Sequence, residues 1–249
     1  MRLLPWLTAA LIREGANTAL ANKLREIPTD TRKLQTGSNV FDEHPASKHI
    51  AMVVSGIAAR ISQFHDAPFV ASLYTTGMVF NFEAFHFDGE ASPVVTKTVS
   101  IIEYVEVLRL RAMMPNSHFL DRTLLRGMML ETCMTESWAI KAKSLRATSR
   151  VANLVCELAW RERCSLGSSP AFHFPLAQKE VARMLGYSPV HLSRAIQELR
   201  DRRLVRWEED WVKVLDADAL VKLGQFSPAY LESALRFAIH PATHVLAAE

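Results

Sequence analysis

The sequence predicts an α+β chain with a β-rich first half, a long helix, and a C-terminal pair of short helices followed by a two-stranded hairpin. Three observations carry this. Short runs rich in Val, Ile, Phe and Tyr recur between glycines over residues 30–112. Residues 116–147 contain no proline and keep heptad-like apolar spacing. Residues 174–215 pass from helical periodicity through a glycine turn into strand alternation. At 249 residues, 49% hydrophobic and 22% charged, the chain can bury one large core or two modest ones.

The first segment, residues 1–29, opens on a ten-residue apolar stretch, 3–12, in which Leu4, Leu7 and Leu11 suit an amphipathic helix. One basic residue before it and Ala19-Leu20-Ala21 after it also outline a secretion signal. Arg13 and Glu14 interrupt that outline, so a helix of the folded protein is the expectation.

Residues 30–112 read as a β domain, with runs at 50–54, 69–74, 94–99 and 105–110 punctuated by Gly37, Gly56, Gly77 and Gly89. Phe64, Phe69, Phe80, Phe82, Phe85 and Phe87 can line an apolar pocket, but such spacing more often marks β-core. His44, His49, His65 and His86 lack the paired spacing of a metal site. Residues 113–146 then form a connecting helix in which Leu120, Leu124, Met134, Trp138 and Leu145 follow heptad spacing, interrupted by Gly127, Glu131 and Lys141. Such a stripe serves either as a dimer seam or as a face packed on the chain's own β domain.

Residues 147–230 carry the most specific chemistry. Ser188 followed by Pro189 is a strong helix start, because the serine oxygen caps orphan amides and proline suits the first position. Leu192, Ala195, Ile196 and Leu199 then fall on one side. The opposite side carries Val190, Arg194, Gln197 and Asp201, flanked by His191 and Ser193. Upstream, Val181, Met184 and Leu185 give a first helix its apolar face, Ala182 is small where helices would cross, and Gly186 supplies the turn. Gly186-Tyr187-Ser188 has the length of a helix-turn-helix connection. Residues 204–207 and 211–215 read as wing strands with Glu208, Glu209 and Asp210 at the tip, a solvated turn that would repel phosphate. An ordinary helical hairpin with a β-hairpin appended has the same pattern. Charge separates the two: residues 146–206 hold eleven Lys or Arg against five acids, a net of +6 in a chain whose net is +3. Nucleic-acid binding is the expectation.

The stretch PLAQKEVARMLGYSPVHLSRAIQELRDRRLV resembles the winged helix-turn-helix of the Crp/Fnr regulators, the cyclic-AMP receptor protein and its relatives. RVANLVCEL (150–158) resembles the helix leading into that domain, and FSPAYL (226–231) its end. In weaker form, KHIAMVVSGIAARIS and YTTGMVF resemble the family's cyclic-nucleotide-binding-like β-roll sensor. The resemblance implies a β-roll over 30–112, a dimerisation helix over 113–146 and a winged helix-turn-helix over 147–230, with a tail at 231–249. It implies base reading by Val190, Arg194 and Gln197 with Ser188, Pro189, His191 and Ser193 close by, and backbone contacts from Gln178, Lys179 and Arg200. Its partners are a double-stranded DNA operator, a second copy of the chain across Leu120, Leu124, Met134, Trp138 and Leu145, and RNA polymerase as a candidate. Two departures stand out. Ala177 replaces the threonine that usually caps the first helix, and Val190 replaces a groove-facing glutamate while Arg194 keeps the arginine four residues on.

In nucleotide-binding members a glutamate meets the ribose and an arginine the phosphate. Here the resemblance puts Phe82 at the glutamate and Ala91, followed by Ser92, at the arginine; with Phe80 these are the candidate effector-pocket residues, and without a cation a buried phosphate there would be uncompensated. Cyclic AMP is not expected, and the effector is unassigned. No cofactor or metal is expected either: iron–sulfur relatives need cysteines near the N-terminus, and the first here is Cys133. Cys133, Cys156 and Cys164 form no C-x-x-C pair and suit a reducing cytoplasm. No apolar run is long enough for a bilayer. A nucleophile elbow, H-E-x-x-H, P-loop and dinucleotide fingerprint are all missing, so no enzyme is expected. Gly167-Ser168-Ser169-Pro170 reads as a linker. The alternatives are a DNA-binding protein whose β domain recruits a partner protein and, further off, a metabolite-binding enzyme.

Overall fold

The computed structural model describes residues 2–64, 67–87, 92–115, 117–162 and 171–231. Contacts gather the chain into two compact units: Met1–Arg60 with Leu73–Met134, and Ile61–Ser72 with Thr135–Ala229. The division falls within the connecting helix, upstream of the 146/147 boundary read from the sequence.

In the first unit, α1 (Leu3–Arg13) and α2 (Thr18–Asn22) precede the sheets. Leu3, Leu4, Leu7 and Leu11 of α1 are buried, as an amphipathic helix of the folded protein requires. Arg2 offers α1 no side-chain cap. Buried Glu103 supplies one from the sheet: its carboxylate accepts from the Leu3 N–H at 2.7 Å and from the Thr29 hydroxyl at 3.0 Å. At the other end Glu14, also buried, meets Arg122 at 3.0 Å and Arg126 at 2.6 Å.

The strands are β1 (Asp30–Leu34), β2 (His49–Ser55), β3 (Ala58–Phe64), β4 (Ala67–Tyr74), β5 (Val79–Phe80), β6 (Val94–Thr96) and β7 (Ser100–Glu106). They form two sheets, ordered β1-β7-β2-β5 and β4-β3-β6. β2 runs antiparallel to β7, with Ala51 opposite Tyr104. The run read as a strand over 105–110 is corrected: β7 ends at Glu106, and α3 (Val107–Met113) takes the rest. Val107 and Leu110 are both buried at a spacing of three, a helical period that a short apolar run does not separate from alternation. Buried Phe80 stacks on Tyr74 with ring centroids 4.5 Å apart.

α4 (His118–Ser144) follows, and a break at Leu145 and Arg146 separates it from α5 (Ala147–Arg161). Gly127 of α4 lies against the Phe82 ring, where an added Cβ would come within 2.6 Å. Beside this contact Arg60, Tyr74, Glu83 and Glu131 form a polar cluster. The Arg60 guanidinium donates to the Tyr74 hydroxyl at 2.8 Å and pairs with Glu83 at 2.8 Å and Glu131 at 3.8 Å. Burial pushes the Glu131 carboxyl up to about 7, the Arg60 charge opposing it.

In the second unit, α5 packs on α8 (Ala217–Gly224) at close range: the Asn153 amide donates to the Gly224 carbonyl at 2.8 Å, and a Cβ on Gly224 would lie 2.7 Å from the Asn153 nitrogen. α6 (Gln178–Met184), α7 (Pro189–Asp201) and a three-stranded sheet complete it. That sheet is ordered β8-β10-β9, from β8 (Ala171–His173), β9 (Val205–Glu208) and β10 (Trp211–Val214). The wing strands match their sequence reading; β8 was not foreseen. Residues 163–170, with Cys164 and the linker reading of 167–170, lie outside the described residues.

Candidate nucleic-acid interface

The local chemistry of residues 177–201 builds a helix-turn-helix. Ala177 precedes α6 and gives no side-chain cap. Val181 and Ala182 are buried, and the small Ala182 lets the helices cross closely. The turn goes through Gly186 at φ +70°, a left-handed value that costs glycine nothing. Ser188 then caps α7, its Oγ accepting from the His191 N–H at 3.3 Å, and Pro189 takes the first helical position.

Leu192, Ala195, Ile196 and Leu199 are buried as their spacing requires, and this fixes which flank of α7 faces out. Pro189, Val190, His191, Ser193, Arg194, Gln197 and Arg200 are exposed, together with Ser188. Val190 is 62% exposed. Arg194 makes no ion pair or hydrogen bond within the described residues, so its guanidinium is available for a guanine edge. Gln197 donates to Asp201 at 2.8 Å and would have to release that bond to read a base. Arg200 donates to the Trp207 carbonyl of the wing, which ties α7 to β9 and leaves its other donors for phosphate. Gln178 and Lys179, at the first turn of α6, are exposed.

Behind the turn, Arg150 of α5 donates to the Leu185 carbonyl at 2.6 Å and to the carbonyl of Ala142, and lies 4.6 Å from the Tyr187 ring centroid. The Thr148 hydroxyl donates to Glu198, fixing the far side of α7 to α5. Burial raises the Tyr187 phenol above its ordinary value. At the wing, Glu208, Glu209 and Asp210 are exposed, as a solvated tip requires. His173 and Trp211 pack with ring centroids 5.5 Å apart.

The other sequence-derived sites land differently. Leu120, Leu124 and Met134, expected at a two-fold seam, are buried within the protomer; the first two join the core formed with α1 and the roll. Trp138 is half-buried, its indole N–H donating to Glu157 at 2.9 Å, and Leu145 sits at the break after α4. The heptad rule found the buried stripe of α4, because spacing does not tell a chain's own core from a partner's. The large exposed apolar side chains of α4 are Leu125, Met129 and Ile140, which share the opposite stripe. Of the effector positions, Phe80 and Phe82 are buried core side chains, corrected here from pocket lining to packing. Ser92 is exposed, and Ala91 lies outside the described residues, as does His65. Among the described residues no group of three His, Cys, Asp or Glu could hold a metal ion. No described helix is long and apolar enough to cross a membrane.

Residues 149–223 match the Crp-like helix-turn-helix domain. No curated protein matches the chain. Among solved structures, FixK2 from Bradyrhizobium japonicum aligns with TM-score 0.68 at 15% identity over 79% of this chain and 98% of its own. A CRP-family transcriptional regulator from Thermus thermophilus gives 0.60 at 12% over 78% and 96%. The c-di-GMP responsive global regulator CLP from Xanthomonas campestris gives 0.54 at 17% over 84% and 99%. At these identities the likeness is one of fold.

Proposed function

We propose that the chain is a DNA-binding transcription regulator of Crp/Fnr type that reads a two-half-site operator as a homodimer, a reading supported by its Crp-like helix-turn-helix domain and its fold. The observation that carries this reading is the outward flank of α7, where Val190 and Arg194 are exposed, beside a capped turn and a basic surround. Arg194 bonds guanine through O6 and N7, and Val190 packs on a thymine methyl one helical turn away. Val190 in place of a carboxylate gives a half-site different from that of relatives with the glutamate. Gln178, Lys179 and Arg200 hold phosphates and set the register.

Two recognition helices about 34 Å apart require a dimer. The seam we propose is the exposed stripe of α4, Leu125, Met129 and Ile140, in place of the buried set. The roll senses no cyclic nucleotide: the stacked Tyr74 and Phe80 rings and the packing of Phe82 under Gly127 support this. The protein works in the cytoplasm, with RNA polymerase as a candidate partner, and not as an enzyme. Selecting genomic fragments on the purified protein tests the reading. The expected result is a palindromic motif with guanine and thymine at fixed positions in each half; recovery of fragments without a shared motif would refute it.

A further inference from the structure

Within the second unit, Phe69 of β4, the end of α4, α5 and the α6 turn line a half-open cavity of about 450 Å³. That volume lies in the range of about 300–1,000 Å³ occupied by small-molecule sites. Its charged lining is lopsided, with three cations, Lys141, Arg150 and Arg183, against one carboxylate, Glu157. Glu157 is buried and already engaged: it accepts from the Trp138 indole, pairs with Lys141 at 3.5 Å and bonds Arg161. Burial lowers the Lys141 ammonium below its ordinary value, with Glu157 opposing.

Arg150 is the informative residue. It is 9% exposed, its terminal nitrogens go to backbone carbonyls, its guanidinium lies against the Tyr187 ring, and among the described residues its buried Nε has no hydrogen-bond partner and no carboxylate pairs with it. Carbonyl oxygens satisfy donors without neutralising the charge, and a buried guanidinium lacking a counter-anion is costly. Arg183, exposed, adds a second cation at the rim. Trp138, Leu154 and Met184 supply an apolar wall.

We propose that this cavity is a binding site for a small amphipathic anion, one carboxylate or phosphate ester on an apolar or aromatic body. The anionic group meets Arg150 and Arg183, and the body lies along Trp138 and Leu154. Such a ligand sits against the residues that lead into the α7 cap, and it competes with the Leu185 carbonyl for Arg150. Its regulatory consequence, a change in operator affinity, rests on the DNA-binding reading; the binding itself does not.

The test therefore omits DNA. Thermal shift and calorimetric titration of the full chain use phenylacetate, octanoate and phenyl phosphate at up to about 10 mM, enough to saturate a site with Kd near 1 mM. Phenylacetamide and inorganic phosphate are the controls. At least one amphipathic anion is expected to raise the Tm saturably while both controls do not, and comparing the carboxylates with the phosphate ester identifies the anionic group. The variant Arg183→Gln is expected to bind at least about tenfold more weakly with an unchanged circular dichroism spectrum. Met184→Trp, which fills the cavity without removing a charge, has the same expected effect. No saturable response to any of the three anions, an equal response to phenylacetamide, or full binding by both variants would overturn the proposal.

Discussion

If Arg194 reads a base as proposed, replacing it by alanine separates base recognition from folding. The guanidinium is exposed and makes no bond within the described residues, so truncation leaves no buried group orphaned and stability stays within about 0.5 kcal/mol. A bidentate arginine–guanine pair discriminates by about 1–3 kcal/mol. Two half-sites, well separated and additive, give roughly 2–6 kcal/mol. At about 1.4 kcal/mol per decade, specific affinity falls by between about 30-fold and about 20,000-fold. Random duplex loses only the electrostatic share, and each removed cation flattens the salt slope by no more than about 0.9. Fluorescence anisotropy with the selected operator and a scrambled duplex, across a salt series, reads both quantities. An unchanged ratio of specific to random affinity in Arg194→Ala would refute the assignment. An equal loss on both duplexes would make Arg194 a phosphate contact instead.

Three more predictions follow from the packing. Ser188→Ala removes the α7 cap and costs about 0.5–1 kcal/mol in urea unfolding, the lower part of the usual range because the bond is 3.3 Å long. Gly127→Ala gains about 1 kcal/mol of helix propensity but drives a Cβ to within 2.6 Å of the Phe82 ring, so stability is expected to fall by about 1–2 kcal/mol net. Adding Phe82→Leu should recover part of that loss, and a double-mutant cycle without coupling would contradict the contact. Glu131, raised to about 7 by burial, binds its proton more tightly in the folded state than in the unfolded chain. Its stabilising contribution is present below the unfolded value, near 4.5, and is lost as pH rises through about 7. Glu131→Gln is therefore expected to flatten the decline in stability between pH 5 and pH 8, measured by denaturant unfolding at each end.

What the sequence revealed divides along a physical line. Ser188, Pro189, Gly186 and the leucine spacing of α7 act within a few residues of themselves, so the helix-turn-helix was legible without any partner. β1 was not: its three central residues, Thr31, Arg32 and Lys33, are exposed, and it is a strand only because β7 lies beside it. β8 likewise depends on its pairing with β10. Trp207 and Trp211 differ for the same reason, one buried and the other exposed on the wing. Arg150 read as one more cation of a basic region, while the structure puts it under the turn. The apolar positions of α4 were found, but Leu124 and Leu125 are adjacent in sequence and opposite in fate, and periodicity alone ranks neither as the partner-facing one.

The pinning of α1 at both ends has a practical consequence. A shortened protein beginning after residue 29 would strip Leu3, Leu7 and Leu11 from the interior and leave Glu103, Arg122 and Arg126 without the groups they hold. Trimming toward the recognisable β domain would here yield a sticky, poorly expressing fragment rather than a cleaner one.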